Sequence, residues 1–158
     1  MTKTDLLAVY RSEIALTGKV LRAIPEGQLD YRPHPKSSAI RDLIRTFIAT
    51  MMMNMDFAAG KQPENTMSHV PEFDFIAEAV GTFETKSQEF LGLMENVSED
   101  DLSLPLSVWG MDSTRSAMIM MMLHDMIHHR GQLSVYIRLA GGMVPSIYGP
   151  SADDKGGF

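Results

Sequence analysis

Two pairs of potential metal ligands stand four residues apart within one short stretch of this chain: His124 with His128, and Asp125 with His129. On a helix that spacing puts both members of a pair on one face, one turn apart, where two side chains can grip a single divalent ion. Each residue advances the helix by about 100°, so the two pairs point in different directions and only one can centre on an interior site. The apolar series Met122, Met126, Leu133, Tyr136 and Ala140 takes in His129 and favours Asp125/His129 as the inward pair. The competing series Met121, His124, His128, Gly131 and Val135 is half apolar, so the alternative stays open. A plainer reading is also open: these histidines satisfy buried carbonyls or sit at a groove edge. Next to them, Arg130 is the candidate for an anionic substrate group.

The element that must carry these residues is one long buried helix, Ser113 to Leu139, with Ser113 as its cap and Gly141-Gly142 as its stop. Three more helices are legible from apolar residues recurring at helical rather than alternating intervals. The first runs from Thr2 to Ile24, with a start at Thr4-Asp5 and a stop at Pro25. The second begins at Ser38, capped by Ser37 or Ser38, and is apolar almost all round beyond Phe47. The third carries Phe75, Ile76, Val80, Phe83, Phe90 and Met94 and ends near Asn96. Pro25 to Ser38 and Gly60 to Pro71 read as connections, and their histidines, His34 and His69, as exposed. A short turn is expected at Ser98 to Leu102, and the Leu104 to Trp109 segment either covers one end of the bundle or walls a pocket. With no convincing strand, the expectation is an all-α four-helix bundle: one domain over 1–150, then a flexible tail over 151–158.

Composition narrows the chemistry. There are no cysteines among the 158 residues, which excludes disulfides and thiolate metal sites and fits a reducing cytoplasm. The net charge of −6 argues against nucleic acid, whose nonspecific binding is driven by Lys and Arg neutralising phosphates. No apolar run approaches the roughly 20 residues that span a bilayer, so a cytoplasmic protein without membrane association is expected. Fourteen methionines suit an adaptable core or a plastic interface. The apolar character of the second helix around Met51 to Met55 predicts a homodimer.

LDYRPHPKS after the first helix, HHRGQLSVYIRLAGG ending the fourth, and the tail VPSIYGPSAD together resemble the DinB-like (DinB/YfiT) superfamily of bacterial four-helix bundles, over nearly the whole chain. The resemblance implies a divalent metal, zinc or nickel, held by one histidine of the second helix and two on the fourth. It also implies, for some relatives, transferase or hydrolase activity with low-molecular-weight thiols. Residue by residue, His129 matches the histidine before Arg-Gly-Gln, but Asp125 stands where its partner histidine would be, and Thr46 stands at the second-helix position. The expected site is therefore degenerate: Asp125 and His129 as ligands, or His124 and His128 if the helix is rotated, with metal weak or absent and no catalytic residue assignable. Two functions follow as expectations, a stress-associated binding or scaffold bundle and a metal-dependent thiol transferase or hydrolase acting on a small molecule.

Overall fold

The computed structural model describes residues 2–156. Four long helices, α1 (Lys3–Leu21), α2 (Ile40–Ala58), α3 (Ile76–Glu95) and α5 (Arg115–Leu139), are joined by the short helix α4 (Glu99–Ser103) and a 3-10 turn, Thr66–His69. Between α4 and α5 the chain also forms a hairpin, β1 (Pro105–Val108) and β2 (Met111–Thr114), in which Pro105 pairs with Thr114 and Val108 with Met111. The fold is the expected all-α bundle with this one addition, in the segment expected to hold no strand.

α1 packs principally on α3 and α5, and α2 on the same two helices. α1 and α2 therefore lie across the bundle from each other, and so do α3 and α5. Each diagonal step needs a long crossover, residues 22–39 and 96–114 respectively, whereas adjacent helices can be joined by short loops. α2 is apolar all round because it is pressed between two helices. Phe47 and Met51 are fully buried, and Met52, Met53 and Met55 pack against the core from its margin. The observation that motivated a dimer at Met51 to Met55 thus has an intramolecular explanation.

Tyr10 ties all four long helices together at the centre. It is fully buried, its ring meets Phe90 edge-on at 4.9 Å, and its hydroxyl donates to the Ile119 carbonyl at 2.6 Å while accepting from Asn54 Nδ2 at 2.9 Å. A phenol is tolerated there because every polar edge it brings has a partner. The caps differ from expectation by a residue or two. Thr2 rather than Thr4 closes a reciprocal capping box with Asp5, and Thr114 rather than Ser113 caps α5. At α2 the cap position is Ala39, whose amide donates to the Asp42 carboxylate at 2.8 Å, so half of a capping box is present without the usual hydroxyl.

The tail from Ser151 onward, expected to be flexible, is tied down as far as the described residues reach. Asp153 accepts from Arg138 at 2.6 Å and from the Val144 amide at 2.9 Å, and Asp154 accepts from the Ser146 amide at 2.8 Å and from Lys19 at 3.4 Å. Among the described residues no helix is long and apolar enough to cross a membrane.

Candidate functional site

The register of α5 decides which of its side chains can meet inside the bundle. Its buried series is Met118, Met122, Met126, Arg130, Leu133 and Ile137, so the residue entering the core at this level is Arg130. His129, one step of about 100° away, is displaced to the flank. Asp125 and His129 are half-buried and His124 and His128 are exposed. The Asp125/His129 pair is the nearer to the interior, yet it lies at the edge of the buried face.

The two members of that pair come together. His129 Nε2 lies 3.4 Å from Asp125 Oδ1. On the other edge of the ring, His129 Nδ1 is 2.8 Å from Gln132 Oε1, while Gln132 Nε2 is 3.3 Å from His128 Nε2. The His128 and His129 rings meet edge to face at 5.2 Å. The Gln132 amide thus bridges the two rings, and in the tautomer where its carbonyl oxygen accepts from His129 Nδ1–H the neutral ring turns its Nε2 lone pair toward Asp125. Holding a ligating imidazole by its second nitrogen is how metal sites orient their histidines. Two donors about 2.1 Å from a tetrahedral zinc ion stand roughly 3.4 Å apart, which is the separation found here. With Nε2 protonated the same geometry is an ion pair. Gln132, given no role from the sequence, is the residue that orients the pair, and its only signal is its i+3 and i+4 spacing from His129 and His128.

Whether the divalent ion implied by the resemblance fits turns on a third donor. Thr46 Oγ1 donates to the Asp42 carbonyl at 3.0 Å, the ordinary back-bond of a helical threonine. Among the described residues no group of three His, Cys, Asp or Glu side chains gathers to hold an ion. The donor set stops at two and does not fit a resident three-imidazole centre.

Arg130, expected to receive an anionic substrate group, is placed elsewhere. Its side chain is 2% exposed and forms an ion pair with Glu13 at 2.6 Å. Its other guanidinium nitrogen donates to the Glu13 carbonyl at 3.2 Å and to Thr17 Oγ1 at 3.3 Å. The Tyr148 hydroxyl accepts from Arg130 and donates to Glu13 at 2.8 Å, with the guanidinium 5.2 Å from the centre of the Tyr148 ring. Burial at the hydroxyl and the bond to Glu13 push the Tyr148 phenol above its ordinary pKa. Arg130 thus fastens α1, α5 and the tail to one another. Burying its charge is tolerable because a carboxylate and three further oxygens meet it. Sequence reasoning missed Glu13 and Tyr148 as its partners, since both lie far from it along the chain.

YjoA of Bacillus subtilis, an uncharacterised protein, is 21% identical over 142 residues, covering 87% of this chain and 90% of that one. YrdA of the same organism, also uncharacterised, is 37% identical over 49 residues, only 29% of its length. The fold matches a DinB-like protein of Bacillus cereus with a TM-score of 0.78 at 21% identity, over 93% of this chain and 98% of that one. It also matches the colibactin self-resistance protein ClbS, solved in complex with double-stranded DNA, with a TM-score of 0.66 at 18% identity over 85% and 94% of the two chains. The DinB family model matches residues 1–155, and on that match the chain belongs to the DinB family.

Proposed function

We propose that this chain is a DinB-family bundle that works by binding and assembly, a stress-associated binding protein or dimeric scaffold, rather than by metal-dependent catalysis. The observation that supports this reading is the two-donor set on α5: Asp125 and His129 meet at 3.4 Å, and among the described residues no third His, Cys, Asp or Glu gathers with them in a group that could hold an ion. Two ligands plus water bind zinc or nickel far more weakly than three imidazoles on a fixed frame, because each missing donor is replaced by solvent. The stress association rests on the family resemblance alone. The homodimer draws support from the outer face of α5 and the residues after it, where Val135, Leu139 and Met143 are exposed.

A specific observation favours a second reading, a metal-dependent thiol transferase or hydrolase acting on a small molecule. The 3.4 Å separation suits a tetrahedral ion, and Gln132 orients the ring as a ligand. Elemental analysis before and after adding zinc or nickel and removing the excess separates the two. Substoichiometric metal under both conditions supports the binding reading. Near-stoichiometric metal that disappears in His129→Ala refutes it in favour of the second. Thr46→His with Asp125→His tests the correspondence of positions, because tight zinc or nickel binding should appear only if α2 and α5 face one site.

Light scattering tests the dimer, which a mass of only 17.6 kDa at working concentration refutes. Duplex DNA is left out of the proposal because of the net charge of −6. Anisotropy of a labelled duplex at low salt, where phosphate contacts are strongest, is expected to show no saturable binding.

A further inference from the structure

A cleft of about 660 Å³ opens between α2, α3 and the 60–69 segment, away from the α5 pair. The segment is fastened at both ends by arginines. Arg115 donates to the Ala58 carbonyl at 3.1 Å, with its guanidinium packed where a Cβ on Gly60 would otherwise stand. Arg45 donates to the Met67 carbonyl at 2.9 Å and to Glu72 at 2.7 Å. Both Gly60 and Asn65 take the left-handed backbone conformation, which folds the segment back over α2. The wall is thus held in place without a ligand, as a binding site requires if affinity is not to be spent on ordering it.

The lining combines apolar and charged groups, beside Gln62, Thr66 and His69. Met52 and Met55 supply an apolar, polarisable surface, Lys61 and Lys86 are cationic, and Asp56 and Glu64 are anionic. Lys86 shares its ammonium with Glu89 at 2.8 Å. The side chains of Lys61, Asp56 and Glu64 take part in no hydrogen bond or ion pair among the described residues, although they line one cavity. A ligand of a single charge would be attracted by one pair and repelled by the other, whereas a ligand carrying both charges complements both. The volume lies within the roughly 300–1,000 Å³ range of small-molecule sites.

We propose that this cleft binds a small zwitterion of the α-amino acid class with an aliphatic arm. Its carboxylate faces Lys61 and Lys86, its ammonium Asp56 and Glu64, and its arm Met52 and Met55. The site is independent of the α5 pair and does not depend on whether metal binds there.

The test uses the full chain labelled with carbon-13 at the methionine methyl groups. L-leucine is titrated in alongside L-leucinamide, which keeps only the ammonium, and N-acetyl-L-leucine, which keeps only the carboxylate. L-leucine should give saturable shifts at the Met52 and Met55 methyls, with each single-charge analogue at least about ten-fold weaker, or roughly 1.4 kcal/mol. Lys61→Ala and Asp56→Asn should each weaken L-leucine binding, while unmoved signals from the core residues Met94 and Met118 show that the variants are folded. No saturation by L-leucine up to about 10 mM, equal responses to the three compounds, or undiminished binding in both variants would overturn the proposal.

Discussion

Replacing Arg130 by methionine tests the internal clamp directly. Methionine keeps most of the aliphatic bulk but removes every bond to Glu13, Thr17 and Tyr148. The Glu13 carboxylate, 10% exposed, would retain only the Tyr148 hydroxyl. Stranding one member of a buried ion pair costs about 3–5 kcal/mol, against a total stability of roughly 5–15 kcal/mol for a single domain. At about 2–4 °C per kcal/mol for a chain of this size, the melting temperature of Arg130→Met should fall by roughly 6–20 °C. Adding Glu13→Gln removes the stranded charge, so the double variant should recover much of the loss. Urea and thermal unfolding followed by circular dichroism measure both quantities. A single variant within about 1 kcal/mol of the parent, or a double variant no more stable than the single, would refute the clamp as an energetic element.

Tyr10→Phe takes its acceptor from the buried Asn54 Nδ2 and a second donor from the Ile119 carbonyl, which keeps its bond within α5, and should cost about 1–3 kcal/mol in urea unfolding. Burial raises the pKa of the Tyr10 phenol in the folded state. Its contribution to stability is therefore complete below the unfolded value near pH 10 and lost as pH rises beyond it, so Tyr10→Phe should blunt the alkaline loss of stability seen in pH-dependent melts. The bond from Arg138 holds the Asp153 carboxyl below its ordinary pKa, and backbone amides of Ser146 and Gly156 do the same for Asp154. These contributions are present above about pH 4 and lost as pH falls through the lowered values. The Val144 and Ser146 amides should thus lose hydrogen-exchange protection on acidification before the core of α2 does, and simultaneous loss would contradict this. A Cβ at Gly142 would lie 2.8 Å from Ile137 Cγ2 and Pro25 Cγ, so Gly142→Ala should cost about 1–3 kcal/mol by overpacking, measured in the same melts.

The long helices were legible because each repeats its apolar residues over several turns, and tertiary packing agrees with that rhythm. The hairpin was not, although Leu106 and Val108 alternate and are its buried residues. Its two-residue turn puts Trp109 and Gly110 at φ 53° and 77°, a backbone that favours Asn-Gly. A tryptophan in the first turn position conceals the signal, and here its ring rests edge-on against Phe57 at 5.9 Å. The core position of Arg130 is hidden for a related reason. An arginine falls outside any apolar ladder, and the carboxylate that makes its burial possible is Glu13, on another helix. Pairing across 117 positions leaves no local trace. The Asp125/His129 pair, set by i to i+4 spacing alone, was visible.

The clamp changes what the family-like residues testify to. Arg130 and Gln132 of HHRGQ, and Tyr148 and Asp153 of the IYGPSAD tail, carry much of the resemblance, and the structure gives each a task that needs no metal. Arg130 and Tyr148 close on Glu13, Asp153 joins Arg138 to the Val144 amide, and Gln132 bridges two histidine rings. A sequence can therefore keep the marks of the family because they hold α1, α5 and the tail together. Fold-holding residues and candidate ligands thus stand on different faces of α5, with Arg130 on its inner face and Asp125 and His129 on its flank, and a fold does not by itself dictate the chemistry it carries.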